Sequence, residues 1–374
     1  MYDIAIVGAG PAGSNLARLL AQQTQLKICM IDKRDLNSPL DPSRRKACGG
    51  LLSPDAQEML ARQGLTIPVS VLEDPQLFSV RTIDFDNKLE NHYQRHYLNM
   101  DREKFDRFLY HLVPNWVEKI HGVVTIIKKK QDHWTLQYKT GSTMKIIKAK
   151  QLVAADGGNS FVRRRIAGDQ PRPKTYISLQ KWYPLHASMP YYTGLFDSEI
   201  TDYYSWTIQK DDHLILGTAI PVGDSVHERF ELLRKRVEEH LQVPLRNEER
   251  TEGAFIERIT NLNQLLWMHD DVYFVGEAAG ATSPTSAEGF SYALQSSYYL
   301  ADTLASQTKH PAGKYKRKCR KIALKLLAKQ IKSPAMYHLG IRKLVMKSKV
   351  TAIDVPFKSN FKEEKREIEQ TKSQ

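Results

Sequence analysis

The hexapeptide GAGPAG at residues 8–13 constrains this chain more than any other segment. It follows an apolar run, YDIAIV, and opens GSNLARLLAQQ, where apolar residues recur at helical spacing. LKICMID then reads as a second buried strand, closed by Asp32. Strand, glycine turn, helix and strand make one βαβ unit, which commits the chain to a parallel sheet. Gly8 permits the tight turn, Gly10 lets backbone approach a pyrophosphate, and Gly13 lets the helix pack close. The helix N-terminus supplies partial positive charge for phosphates, and Asp32 suits ribose hydroxyls. The segment predicts a dinucleotide site and does not by itself say which dinucleotide.

At 374 residues with an apolar fraction of 41%, the chain can bury more than one layer of structure. Two further strand-to-glycine turns occur downstream, QLVAADG and DVYFVGEAAG, the latter followed by the helical GFSYALQSSYYLADTLASQ. Between the turns lie strand-like segments at 67–99, 116–154 and 176–221. Ser53 and Pro54 start a helix that Gly64 ends, and Asp101 is placed to cap REKFDRFLYHLV. The order predicts an α/β (α+β) protein. A Rossmann-like domain over 1–69, 100–175 and 262–308 is interrupted by an antiparallel-sheet substrate domain over 70–99 and 176–261. A basic helical region at 309–350 and a disordered tail at 351–374 complete it.

Cys29, Cys48 and Cys319 give neither a disulfide framework nor a metal-ligand spacing, so reduced thiols and no metal are expected. MYDIAIVGAG is already strand and turn rather than a leader, and no eighteen-residue apolar stretch follows, so a cytoplasmic location is expected. The net charge of +13 is uneven: from Thr303 to Ile353 there is no Asp or Glu, while Lys and Arg recur. Residues 314–350 interleave those cations with Ile, Leu and Val. That suits either a docked terminal helix or peripheral contact with an anionic membrane at its inner face. Nucleic acid is not expected, because no binding module accompanies the charge.

Three ordered segments narrow the cofactor. GAGPAG, ADGGNSFVRR (Asp156, Gly157, Ser160, Val162, Arg163) and VYFVGEAAGATSPTSAEG resemble segments of FAD-dependent oxidoreductases of the p-hydroxybenzoate-hydroxylase fold, a family that includes geranylgeranyl reductases. They match its GxGxxG, DGxxSxVR and GDAA patterns, with Glu277 where Asp is usual. DREKFDRFL is similar to the family's RxxFDxxL helix. The resemblance implies FAD, held by Gly8, Gly10, Pro11, Ala12 and Gly13 with Asp32 and Lys33. It extends the set to Arg102, Val124, Asp156 and Gly157, and to Glu277, Gly280, Gly289 and Phe290. There is no second GxGxxG, so NAD(P)H or another electron donor is expected to act without a Rossmann site of its own.

RRKACGGLLSP sets Cys48 beside two glycines. KACGGLL resembles the Cys-Gly-Gly loop of geranylgeranyl reductases, which implies that Gly49 and Gly50 lie against the flavin. Cys48 is then placed to donate a proton, since thiols hold theirs at neutral pH; a small packed side chain is the alternative. YYSWTIQKDDHLILG resembles those proteins' YxWxFP hairpin, with Gln209 where proline is usual. Tyr204 and Trp206 either line a slot for an isoprenoid chain or form sheet core. The whole-length pattern is similar to the bacterial CbrA branch of the family.

Three functions follow. One is reduction of C=C bonds in a prenyl lipid or similar hydrophobic substrate. Another is a monooxygenase acting on a hydrophobic or aromatic substrate. The third is a flavin-stabilised lipid- or protein-binding module without turnover. A flavin halogenase is not expected, because Tyr204 and Gln209 break its WxWxIP-type segment.

Overall fold

The computed structural model describes residues 1–39, 46–185, 188–242 and 244–355. β1 (Tyr2–Val7), α1 (Pro11–Gln23) and β2 (Ile28–Asp32) form the βαβ unit. β3 (Leu51–Leu52), α2 (Pro54–Arg62), β4 (Leu77–Asp84), β5 (Leu89–Asn99) and α3 (Arg102–His111) follow. Then come β6 (Glu118–His121), β7 (Val123–Lys129), β8 (Trp134–Thr140), β9 (Thr143–Ala154) and α4 (Phe161–Ile166). β10 (Lys174–Pro184), β11 (Tyr191–Phe196), β12 (Ser205–Lys210), β13 (His213–Pro221), α5 (Val226–Leu241) and β14 (Arg250–Arg258) are next. The described part closes with β15 (Met268–His269), β16 (Val272–Phe274), α6 (Phe290–Ala305), α7 (Pro311–Lys332), α8 (Pro334–Tyr337), α9 (Leu339–Ser348) and β17 (Ala352–Ile353).

Two sheets organise these elements, and the fold is mixed α/β. In the first, parallel strands run in the order β6-β2-β1-β9-β16, with β15 on the far edge. β9 is long because it serves twice. Its first half pairs antiparallel with β8 and its second half pairs parallel with β1. Along β1, Ile4 and Ile6 pack with Leu16 and Leu20 of α1 and Leu300 of α6. Ala5 and Val7 point the other way, onto Leu136 and Tyr138 of β8. Burial on both faces is why YDIAIV carries no polar alternation after Asp3.

The second sheet runs β14-β10-β13-β12-β11-β4-β5-β17, with β3 beside β5. One face packs Leu179, Leu195, Leu214 and Leu216 under Phe230, Leu233 and Val237 of α5. The other face carries Tyr176, Tyr204, Trp206, Ile208 and Ile215, joined by Leu51 from β3. The expected disorder from residue 351 needs correction at its start: Ala352 and Ile353 pair with Tyr93 and His92 of β5. β5 is otherwise an edge with open backbone groups, and two residues suffice to cover part of it. The rest of that tail, 356–374, lies outside the described residues, as do Arg44 and Arg45 of the cysteine segment.

The basic region is helical in three pieces. α7 is docked on the first sheet's helical layer: Tyr315 Oη donates to the Phe274 carbonyl at 2.8 Å, and Cys319, Ile322 and Leu326 are buried. Among the described residues no helix is long and apolar enough to cross a membrane, and no cluster of His, Cys, Asp or Glu could hold a metal ion.

Candidate functional site

Each glycine motif falls at the carboxyl end of a parallel strand. Gly8–Gly13 follow β1, Asp32 ends β2, Asp156 and Gly157 follow β9, and Gly276 and Glu277 follow β16. Open α/β sheets bind ligands in the crevice at those ends. Gly8 has φ +106°, and a Cβ on it would lie 2.3 Å from the Ala155 carbonyl oxygen. A Cβ on Gly13 would lie 1.9 Å from the Gly8 oxygen, so α1 can pack there only without one. Gly10 differs: its Cβ would meet nothing within 4 Å. Protein packing therefore does not require glycine at 10. Gly10 is also the N-cap of α1, and no side chain caps that end, although Pro11 and Ala12 beyond it are buried. An open cradle over uncapped backbone N–H groups fits a pyrophosphate.

Asp32 Oδ2 accepts from the Ala9 N–H at 2.6 Å and Oδ1 from the Arg34 N–H at 2.8 Å, so it fixes the glycine loop against the end of β2. It lines a cleft with Ala9, Asn37 and Tyr110, where a ribose would reach it. Lys33 is exposed. Its neighbour Arg34 turns inward instead, to Asp106 at 2.8 Å and Glu103 at 3.4 Å. Val124 is packed in the apolar layer of β7 and β8 beside Leu136 and Tyr138.

α3 joins this cleft to a second one. Asp106, fully buried, accepts from both Arg34 and Arg102, each at 2.8 Å. Burial pushes the Asp106 carboxyl up, but the two guanidinium groups outweigh it and hold it below the usual range. Burial works against the Arg102 charge too, and Asp106, Cys48 and Glu277 together keep it above its ordinary value. Arg102 lies over the Phe290 ring at 4.6 Å and donates to Cys48 Sγ at 3.6 Å. The Gly50 N–H donates to the same sulfur at 3.5 Å. The structure thus brings Cys48, Arg102 and Phe290 together.

The glycines after Cys48 have reasons inside the protein. Gly50 has φ +60°, and a Cβ there would lie 2.2 Å from the Met100 oxygen. A Cβ on Gly49 would meet only the flexible Ile208 Cδ1, at 2.6 Å. Lys210, buried at the end of β12, donates to the Gly50 oxygen at 3.1 Å and to the Met100 oxygen at 2.7 Å. It pins the loop to the junction of β5 and α3. Burial pushes its ammonium down to about 8, while Glu73, Cys48 and Asp101 pull the other way.

Glu277 accepts from the Gly158 N–H at 3.0 Å and from Lys46 Nζ at 3.3 Å. Lys46 lowers its pKa, against burial, with help from Arg102. Gly157 and Gly289 both abut this carboxylate; a Cβ on Gly289 would lie 3.0 Å from Oε1. Three residues of these turns have partners within the protein. Asp156 accepts from Ser160 Oγ and from the Val162 N–H, so its carboxylate caps α4. Gly280, with φ +79°, closes the short 3₁₀ turn Gly276–Ala279 against the Gln264 oxygen. The Gly276 N–H donates to Ser296 Oγ of α6 at 2.9 Å.

The cleft at Cys48 is lined by Lys46, Glu73, Arg102, Trp182, Lys210 and Glu252 among others. Gln180 Nε2 bridges Glu252 at 2.5 Å and the Cys48 oxygen at 3.5 Å. Gln180 Oε1 and Trp182 Nε1 are buried without a hydrogen-bond partner. Beside it, Tyr204 Oη donates to the Ser286 oxygen at 2.7 Å, and the Trp206 ring lies on Gly217, where a Cβ would come within 2.3 Å. Both aromatics are buried in the sheet's apolar cluster. Sequence reasoning did not single out Asp106, Lys210, Gln180 or Glu252. For Lys210 a signal was present: alternation along SWTIQK puts it on the face of Trp206 and Ile208.

An acceptor at Asp32, an open cradle at Gly10 and a cleft at Cys48 beside Arg102 and Phe290 fit an extended flavin dinucleotide. The chain belongs to the FAD binding domain family, which matches residues 1–329, and FAD is its cofactor. It is an FAD-binding oxidoreductase of the p-hydroxybenzoate-hydroxylase-like fold. Protein CbrA of Escherichia coli O9:H4 (strain HS) is 38% identical over 353 residues, covering 94% of each chain. A geranylgeranyl bacteriochlorophyll reductase-like structure from Thermoplasma acidophilum superposes with a TM-score of 0.78 at 18% identity, covering 98% of this chain and 95% of that one. A probable FAD-dependent monooxygenase from Pseudomonas aeruginosa superposes with 0.68 at 17% identity, covering 93% and 98%.

Proposed function

We propose that this flavoprotein reduces carbon–carbon double bonds of a prenyl lipid or a similar hydrophobic substrate. The supporting observation is Cys48 in the cleft, its sulfur accepting from Arg102 and from the Gly50 N–H, with Leu51, three residues on, packed in the aromatic cluster of Tyr97, Tyr192, Tyr204 and Trp206. FAD, when bound, supplies hydride chemistry that the side chains cannot. The chain's own part is to hold the substrate beside Cys48, to exclude water, and to present the Cys48 proton. Arg102 and the Gly50 N–H orient the sulfur. NAD(P)H or another donor would supply the electrons. Reduced protein incubated without oxygen with a prenyl panel should give products heavier by two hydrogens. No such gain across the panel overturns the reading.

A second reading, a monooxygenase acting on an aromatic substrate, is favoured by the polar floor of the same cleft. Trp182 Nε1 lacks a partner there, and an unpaired buried polar atom costs about 1–3 kcal/mol unless a ligand satisfies it. Incorporation of labelled oxygen from O₂ into an added aromatic acid would select this reading.

A further inference from the structure

We propose that the outward face of α9 is a docking surface for an anionic lipid bilayer. The inference does not rest on the proposed reaction.

α9 has one side packed on the protein and an apolar side that is not. Arg342 and Met346, one turn apart, face inward. Leu344 sits half a turn from Arg342 and is 73% exposed. Ile341 and Val345 are exposed beside it on the same side of the helix, and Leu339 and Val350 are exposed at its two ends. Apolar side chains normally surface singly, and a contiguous set marks a contact. Ile331, just before the turn into α8, is 71% exposed as well.

Charge identifies the partner. Lys343, Lys347 and Lys349 flank these side chains, and no Asp or Glu occurs from Thr303 to Ile353. A second protein copy would bring the same cations against themselves, whereas an anionic bilayer answers both the charge and the apolar face. The inner side of the arm packs on the body of the protein. Met336 and Tyr337 of α8, immediately before α9, join the aromatic cluster of Tyr203, Tyr204 and Trp206. Tyr337 Oη donates to the Thr285 oxygen at 2.8 Å, and Arg258 lies over the Tyr337 ring at 4.1 Å. One arm therefore walls the aromatic cluster on its inside and offers lipid-binding chemistry on its outside.

The test is co-sedimentation of the full chain, FAD-loaded, with phosphatidylglycerol–phosphatidylcholine vesicles and with pure phosphatidylcholine vesicles. Binding is expected on the anionic vesicles only, weakening with salt. The variant Lys343→Gln/Lys347→Gln should partition about 25-fold more weakly, about fivefold for each cation removed. Leu344→Glu should bind at least about tenfold more weakly. All three positions are exposed, and unchanged flavin absorbance and thermal melting would show that the variants remain folded. Absence of vesicle binding at low salt overturns the proposal, as does wild-type binding by both variants. A concentration-dependent dimer that Leu344→Glu dissolves would assign the face to a second copy and also overturn it.

Discussion

Lys210 enters the cleft as a buried ammonium held by two carbonyl oxygens. Its pKa falls from 10.5 to about 8, chiefly by burial. The unfolded chain keeps that proton up to about pH 10.4. Between about pH 8 and about pH 10 the unfolded state therefore binds more protons than the native one, and Lys210 makes stability rise with pH across that window. Below about 8 the full penalty for burying the charge is present. Lys210→Met should remove this rise: urea midpoints at about pH 7.5 and about pH 10 should differ less in the variant than in the wild type. Equal differences would show that the native ammonium is not desolvated. Cys48 calls for another measurement, because its sulfur accepts from Arg102 and Gly50 whatever it does in turnover. Cys48→Ala should retain FAD and lose about 10²-fold or more in turnover if it donates the proton. Unchanged turnover would leave Cys48 a packing residue.

At the scale of elements, α1 separates two kinds of glycine. Gly13→Ala puts a Cβ 1.9 Å from the Gly8 oxygen and must displace the helix. It should destabilise the chain even without FAD, by about 1–3 kcal/mol. Gly10→Ala meets open space. It should leave the FAD-free protein within about 0.5 kcal/mol of wild type and weaken FAD binding at least tenfold. Denaturation of the FAD-free variants and flavin titration read the two effects separately, and a stability loss at Gly10 equal to that at Gly13 would count against a ligand cradle there. The contrast also shows what a sequence displays. Both glycines fall in one motif, so the turn and the dinucleotide class were legible, and only geometry tells packing from ligand space. Asp156 shows the same ambiguity: a carboxylate that caps α4 has the same spelling as one that meets a cofactor. Lys210, Gln180 and Glu252 were missed because their roles depend on which strands pair. Gln180 faces Glu252 only through the register of β10 with β14, and neither strand carries a motif that fixes it.

Across the whole molecule, the C-terminal arm ties the two sheets together. α7 docks beside the parallel sheet through Tyr315 and Phe274. α9 docks on the second sheet through Arg342, whose guanidinium donates to Asp84 at 2.7 and 3.0 Å and to Asp86 at 2.7 Å. Arg342 also donates to the Met336 oxygen and lies over Phe196. Burial pushes the Asp84 carboxyl up, but Arg342 and Asn87 outweigh it and hold it below the usual range. A depressed native pKa means that the stability is present above the unfolded value of about 3.9 and is lost as pH falls through the native one. Removing one partner of such a pair strands a buried carboxylate, at a cost of about 3–5 kcal/mol. Arg342→Ala should therefore lower stability by about that much at neutral pH, and the deficit should shrink in acid as Asp84 becomes protonated. Hydrogen exchange locates the effect. If Arg342 holds the arm, protection in α9, β17 and the facing part of β5 should fall together, while α1 and β1 keep theirs. Uniform loss across both sheets would mean that the arm and the core unfold as one unit.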